Sequence, residues 1–276
     1  MSPAQPRDKR PPVGVDPTRA SIARVYDAAL GGKDNYEIDR KIIADINRVV
    51  PAIEMAWANR NFLIRAARFL ASQADISQFL DCGSGLPTTE NTHQVVQRIN
   101  PDARVVYVDN DPVVLAHGRA LLEDNDRTFF SDADIFDPQE VFDSQAVRTH
   151  IDWTEPVALF HISTLHHHTG ERHRPAEIMK EYVDKLPSGS YVAIAHFFDP
   201  ENEYSPRARK MEKIFVNSPM GSGTFRTKSE IEELFPGLEM VTPGVVECAN
   251  WWPDGPQLKQ DDEAQRYFAC GLGRKP

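Results

Sequence analysis

Five short segments rich in β-branched and aromatic residues recur between residues 77 and 198: SQFLDC, RVVYVDND, RTFFSDADIF, PVALFHIST and SYVAIAHFF. Helical stretches stand between them, NTHQVVQRIN, PVVLAHGRALLED and RPAEIMKEYVDKL, with Pro101 ending the first and Pro112 in the first turn of the second. Strands separated by a helix's length of chain cannot pair as hairpins. They pair in parallel through right-handed crossovers, so the alternation restricts the fold to the α/β class, with a mostly parallel Rossmann-like sheet covered by helices.

Helices come first. Residues 1–17, rich in proline and charge, read as a disordered tail, and residues 18–75 as a helical extension or lid. In its first helix Ile22, Val25, Tyr26 and Ala29 share a face. Gly31 and Gly32 stop that helix; a second runs from KDNYEIDRKIIADI to Pro51. A third, AIEMAWANRNFLIRAARFLASQA, sets Trp57, Ile64, Ala67 and Leu70 at helical offsets. The core is expected over residues 76–276, with an insertion at about 199–230; helix SPRARKMEKIFVNS and TKSEIEELF, capped by Thr227 or Ser229, fall there. LEMVTPGVVEC and the closing QRYFACGLGRK read as strands.

Composition narrows the partners. The 276 residues carry a formal charge of −10, which repels phosphate backbones and disfavours nucleic acid. Cys82, Cys248 and Cys270 have no metal-binding or redox spacing. No signal-type apolar segment opens the chain, and no run of about 18 apolar residues could span a membrane. A cytoplasmic protein is expected, without membrane or metal.

The loop after the first strand, LDCGSGLPTTEN, carries the chemistry. Ligands in open α/β sheets bind beyond the carboxyl ends of the strands. Gly83 and Gly85 allow a sharp turn and a close approach to a ligand. A dinucleotide fingerprint would need glycine at position 88, where Thr88 stands, and no Gly-Lys-Ser/Thr cradles phosphate. Pro87 biases Leu86 towards an extended conformation and delays the helix until Thr88 and Thr89 can cap it. Asp81 precedes the glycines. Asp109, ending the second strand, can take both hydroxyls of a ribose. Asp134, followed by Ile135, suits an adenine amine, with Asp132 a competitor and Asp137 a helix cap before Pro138. A nucleoside with free ribose hydroxyls and an amino-acid tail fits this pattern: S-adenosyl-L-methionine.

LDCGSGLPTTEN, RVVYVDNDPVVLAHGRALL and the LHHH and LPSGSYVAIAHF segments resemble the motifs of class I S-adenosylmethionine-dependent methyltransferases. VYDAALGGKDNYEIDR, ANRNFLIRAARFL, PGVVECANWWPD and the closing GRK extend the resemblance to a former domain-of-unknown-function family of S-adenosyl methyltransferases, over roughly residues 16–275. It implies a seven-stranded sheet whose last strand is antiparallel, with helices on both faces. It implies cofactor contacts from Asp81, Gly83, Ser84 and Gly85 to the methionine part, from Asp109 and Asn110 to the ribose, and from Asp134 and Ile135 to adenine. Residues His161 to Leu165, Ser163 among them, would face the sulfonium and the acceptor.

Other side chains keep two readings. His161 is the nominee for a general base, or else a hydrogen-bonded structural histidine. The cluster His161, His166, His167, His168 and His173 lacks the i, i+4 spacing of a helical metal site. Asn35 and Tyr36 belong to a lid touching the cofactor, or GGKDN is a plain C-cap and N-cap with Asp34 or Asn35 capping. Arg60 pairs with the methionine carboxylate or with a neighbouring acid. Trp251 and Trp252, with Phe197, Phe198, Tyr204 and Phe225, line an acceptor pocket or join the core, and of the two adjacent tryptophans in an extended segment at most one reaches a pocket. For the whole chain, the leading reading is methyl transfer to a small-molecule acceptor. A non-catalytic cofactor-binding regulatory module and, with the third glycine missing, an NAD(P)-dependent oxidoreductase are the alternatives.

Overall fold

A computed structural model describes residues 15–276 except 50, 89, 123–124 and 256–262. The expected tail over residues 1–17 lies outside the described residues up to residue 14, and so does the capping candidate Thr89.

Five parallel strands form the centre: β1 (Gln78–Cys82), β2 (Arg104–Val108), β3 (Thr128–Ser131), β4 (Ala158–Ile162) and β5 (Tyr191–Phe197). The last strand, β8 (Phe268–Arg274), runs antiparallel to β5, in register from Tyr191 opposite Arg274 to Phe197 opposite Phe268. The spatial order is β3-β2-β1-β4-β5-β8-β6. The expected strand LEMVTPGVVEC is split into β6 (Glu239–Met240) and β7 (Val246–Glu247), both antiparallel to β8. Gly244, at φ +83°, lies in the turn between them. Among the described residues seven strands thus lie on one path and β7 adds an eighth.

Alternation along each central strand divides the core into two layers. Phe79, Val105, Tyr107, Phe160 and Ala193 face one side with α3 (Ala52–Ser72). Leu80, Val106, Leu159 and Ile194 face the other with α6 (Pro138–Asp143), α7 (Gln145–His150) and α8 (Arg174–Lys185). Strands β1 and β4 are buried throughout, as expected of strands covered on both faces.

The N-terminal helices α1 (Ile22–Ala29), α2 (Glu37–Asn47) and α3 precede the sheet, as the sequence suggests. Two details differ. Trp57 is 39% exposed, and the buried stripe of α3 runs through Ala56, Asn59, Arg60, Leu63, Ala67 and Leu70. The N-cap of α2 is Tyr36, not Asp34 or Asn35, and Asp39 takes the Tyr36 N–H at 2.9 Å. Helix α4 (Thr92–Gln97) is N-capped by Asn91 rather than by Thr88; Asn91 Oδ1 takes the Thr88 N–H at 2.9 Å. Asp137 caps α6 and Thr227 caps α10 (Lys228–Glu232), as expected. The remaining helices are α5 (Pro112–Leu122) and α9 (Ser205–Asn217). No helix among the described residues is long and apolar enough to cross a membrane.

Candidate cofactor and acceptor cavity

The strand order turns back on itself between β1 and β4, where an open α/β sheet builds its ligand crevice. A cavity of about 610 Å3 opens there, within the range of small-molecule sites. Its floor is the set of turns beyond β1, β2, β3 and β4. Residues from α1 and α3 line it as well.

The β1 turn is shaped by two glycines. Gly83 has φ +77°, and a Cβ on it would stand 2.3 Å from Thr164 Cγ2. Gly85 has φ +65° with open space where a Cβ would be. Both need the left-handed region, and Gly83 also needs the missing side chain. The turn is anchored to β2: Gly83 N–H donates to Val108 O at 2.7 Å and Gly85 N–H to Asp109 Oδ2 at 2.8 Å.

Asp109 also receives the Asp111 N–H on Oδ1 at 3.0 Å. Its carboxylate is thereby fixed in the cavity wall with lone pairs to spare for hydroxyl donors. Burial pushes its pKa up to about 6. It does not cap α5; Asp111 does, receiving the Val113 N–H at 2.8 Å. Asp81 is buried, accepts the Thr92 hydroxyl at 2.6 Å, and is likewise raised by burial to about 6. Asp134 takes the Phe136 N–H at 2.9 Å and lines the cavity beside Ile135, whereas Asp132 does not line it. Ser163, at φ +65°, holds the β4 turn through its N–H to Ala195 O at 2.9 Å.

Of the residues nominated from sequence, Asp81, Gly83, Ser84, Gly85, Asp109, Asn110, Asp134, Ile135, Ser163 and Arg60 all line this cavity. Arg60 Nη2 donates to Glu90 O at 2.8 Å and to Asn91 Oδ1 at 3.4 Å, both in the segment before α4, and its positive charge also acts on Asp81. Three nominations fall elsewhere. Asn35 and Tyr36 do not line the cavity: Asn35 Nδ2 donates to Asp27 Oδ2 at 2.8 Å, and the Tyr36 ring lies 5.1 Å from the Arg24 guanidinium. From the N-terminal extension the apolar stripe of α1, Ile22, Val25, Tyr26 and Ala29, lines the cavity, together with Ile43 and Ile46 of α2 and residues of α3. His161 is fully buried on the α8 side of the sheet, its ring 5.0 Å from that of Tyr182, and it does not line the cavity. Its Nδ1 bonds Thr164 Oγ1 at 3.2 Å, and burial lowers its pKa to about 3. His161 therefore stands outside the cavity lining.

The cavity histidine is His167, two residues into the 3-10 turn Leu165–His167. That tight turn sends Leu165 into the core and stacks His166 on Phe197 at 3.7 Å. His167 is left for the cavity, and the LHHH run was the signal. Also missed were Tyr26 and Asn59, which line the cavity and bond one another at 2.8 Å, Asn59 Nδ2 donating to the Tyr26 hydroxyl. Trp251 is fully buried and joins the core, and Trp252 is exposed; neither lines the cavity. Among the described residues no group of three or more His, Cys, Asp or Glu side chains could hold a metal ion.

The cavity suits a nucleoside with an amino-acid tail. Two buried polar atoms in its lining, Ser84 Oγ and Asn59 Oδ1, have no hydrogen-bond partner among the described residues and would be satisfied by such a ligand. Asp109, Asp134 and Ile135 lie together in its floor.

Comparison with known proteins agrees. A family model described as S-adenosyl methyltransferase matches residues 8–276. The crystal structure of a proposed methyltransferase from Thermobifida fusca YX superposes with a TM-score of 0.89 at 43% identity, covering 96% of this chain and 98% of the other. A DUF574-family protein from Streptomyces avermitilis MA-4680 superposes with a TM-score of 0.86 at 36% identity, covering 94% and 98%. No curated protein sequence matches. With nearly the whole chain matched and the cavity in the position the fold requires, the protein belongs to the S-adenosyl methyltransferase family, a class I fold using S-adenosylmethionine.

Proposed function

We propose that the protein transfers the methyl group of S-adenosylmethionine to a small-molecule acceptor. The observation that carries this reading is the shape of the cavity: a polar floor at the strand ends continues into an apolar space enclosed by α1, α3 and α9. When bound, S-adenosylmethionine supplies a methyl group on an already activated sulfonium. The protein's own task is to hold and enclose.

Asp109 would accept the ribose hydroxyls and Asp134 the adenine amine. Ser84, Asn59 and Arg60 would meet the amino-acid tail; the fit of Arg60 to a carboxylate is that of a planar fork to two oxygens. The apolar stripe of α1 keeps water from the reacting centre and helps fix the acceptor close to the methyl group, where proximity supplies much of the rate. An acidic chain with an enclosed cavity is suited to a small molecule rather than to a polyanion. The same reading places the protein in the cytoplasm, where its three buried free cysteines stay reduced.

The test is incubation with methyl-labelled S-adenosylmethionine and a cell extract. Label recovered in the low-molecular-mass fraction, together with S-adenosylhomocysteine, is the expected result. Label recovered in the protein or nucleic-acid fraction contradicts it.

A further inference from the structure

The end of the cavity beside β5 and β8 has a composition of its own. It is lined by Phe197 of β5, Met211 and Phe215 of α9, Pro219 and Met220 just after it, and Phe268 of β8. None of these is charged. Phe197 packs at 4.9 Å from Phe215 and 5.1 Å from Phe268, measured between ring centroids, so the wall is aromatic and closely packed. The chain after α9 is pinned: Thr224 N–H donates to His166 O at 2.9 Å, and Gly223, at φ +140°, lies so near Phe215 that a Cβ would stand 2.6 Å from the ring's own Cβ. An aromatic wall of this kind selects flat apolar surface.

One polar group belongs to this end. His167 lines the cavity with its ring 6.1 Å from Phe197. Its Nδ1 bonds Ser222 Oγ at 2.9 Å, and the Ser222 hydroxyl donates to Met220 O at 3.4 Å. In the arrangement in which the Ser222 hydroxyl donates to that carbonyl, Nδ1 carries the imidazole proton and Nε2 presents a lone pair. Nε2 has no hydrogen-bond partner among the described residues. Burial holds the ring neutral, with its pKa lowered to about 3.

We propose that this end is the acceptor compartment, and that it takes a neutral, flat ring compound bearing an O–H or N–H group that donates to His167 Nε2. The inference rests on the methyl-donor reading above but deepens it, since it names the acceptor's chemistry. An anion is disfavoured because, among the described residues lining the cavity, no Lys or Arg belongs to this end to pair with a buried charge. A ring without a donor is held less well because Nε2 is then desolvated without a partner.

The experiment uses 2-naphthol, 2-methoxynaphthalene and 2-naphthoate as probes of matched size, titrated into the full chain by calorimetry with and without S-adenosylhomocysteine. The expected order is 2-naphthol tightest, 2-methoxynaphthalene weaker by about three- to tenfold, the worth of one neutral hydrogen bond, and 2-naphthoate weakest of all. His167→Phe should erase the difference between the first two while retaining 2-methoxynaphthalene. Met220→Glu, at a half-buried position that tolerates charge, should abolish 2-naphthol binding while S-adenosylhomocysteine still binds. Naphthoate binding as tightly as naphthol, or no naphthol binding to protein that holds S-adenosylhomocysteine, overturns the proposal. Naphthol binding to protein that does not bind S-adenosylhomocysteine would support the compartment and sink the methyl-donor reading instead.

Discussion

At the scale of single residues, the floor of the cavity was readable because its chemistry is local in sequence. Gly83, Gly85 and Asp109 are separated by one strand-helix-strand unit, and the fold places strand ends side by side. The two glycines have different reasons to be glycine. Gly83→Ala meets both the left-handed penalty of about 1–2 kcal/mol and the 2.3 Å clash with Thr164. Gly85→Ala meets only the first. Urea unfolding should therefore show the larger loss for Gly83→Ala, and equal losses would contradict the packing described. Asp109 adds a pH signature. With its pKa raised to about 6, its carboxylate form is lost as pH falls below that value, so affinity for S-adenosylhomocysteine should fall between pH 7 and pH 5. In Asp109→Asn that dependence should be shallower; an unchanged profile would remove Asp109 from the ribose site. What was not readable is which of several histidines turns inward. His161 and His167 are six residues apart, but the first sits on a strand and alternates to the far face, while the second ends a 3-10 turn. A strand's parity and a tight turn's phase are set by tertiary packing that the LHHH run does not encode.

At the scale of elements, the helical extension was legible as helices, but its partner was not. The stripe Ile22, Val25, Tyr26 and Ala29 resembles a core face, yet all four line the cavity. Periodicity reports that a face is apolar and is silent on what covers it. Asn35 and Tyr36 were drawn to the cofactor by motif alone, whereas the structure spends them on α1: Asn35 on Asp27, Tyr36 above Arg24. The tie between α1 and α2 is a buried ion pair, Arg24 Nε to Asp39 Oδ2 at 2.9 Å, with both side chains almost fully buried. Asp39 also receives the N–H groups of Ser21 at 3.3 Å and Tyr36 at 2.9 Å. Asp39→Ala strands the Arg24 charge, and breaking such a pair costs about 3–5 kcal/mol. Hydrogen exchange should show α1 and α2 opening selectively in that variant while the β1 and β4 amides stay protected. Loss of protection over the whole sheet would mean that the extension and the sheet unfold together.

At the scale of the whole molecule, the parallel sheet was fixed by the strand-helix alternation, since chain lengths and crossover handedness leave few topologies. The splitting of the LEMVTPGVVEC strand was less accessible, because both halves pair with β8, a strand far along the chain. The balance of buried titratable groups gives a global expectation. His161, His167 and His196 are lowered to about 3 and His166 well below its usual value, all chiefly by burial. For these groups the unfolded chain takes up protons that the folded one refuses, so stability is lost as pH falls from about 6.5. Asp81 and Asp109 act oppositely: raised to about 6, they hold protons in the folded state that the unfolded chain has released, so their contribution falls as pH rises from about 4 to about 6. The four histidines outnumber the two carboxylates. Unfolding free energy from urea titrations should therefore rise with pH between 4.5 and 6, and a falling curve would contradict the buried, neutral state of the histidines. The central claim is that the strand-end cavity holds S-adenosylmethionine through Asp109. Calorimetry on the folded full chain tests it most directly. The prediction is one site for S-adenosylhomocysteine per chain, weakened about 10- to 100-fold in Asp109→Ala by the loss of hydrogen bonds to a charged acceptor. No binding by the folded wild-type protein, or equal binding by the variant, would contradict it.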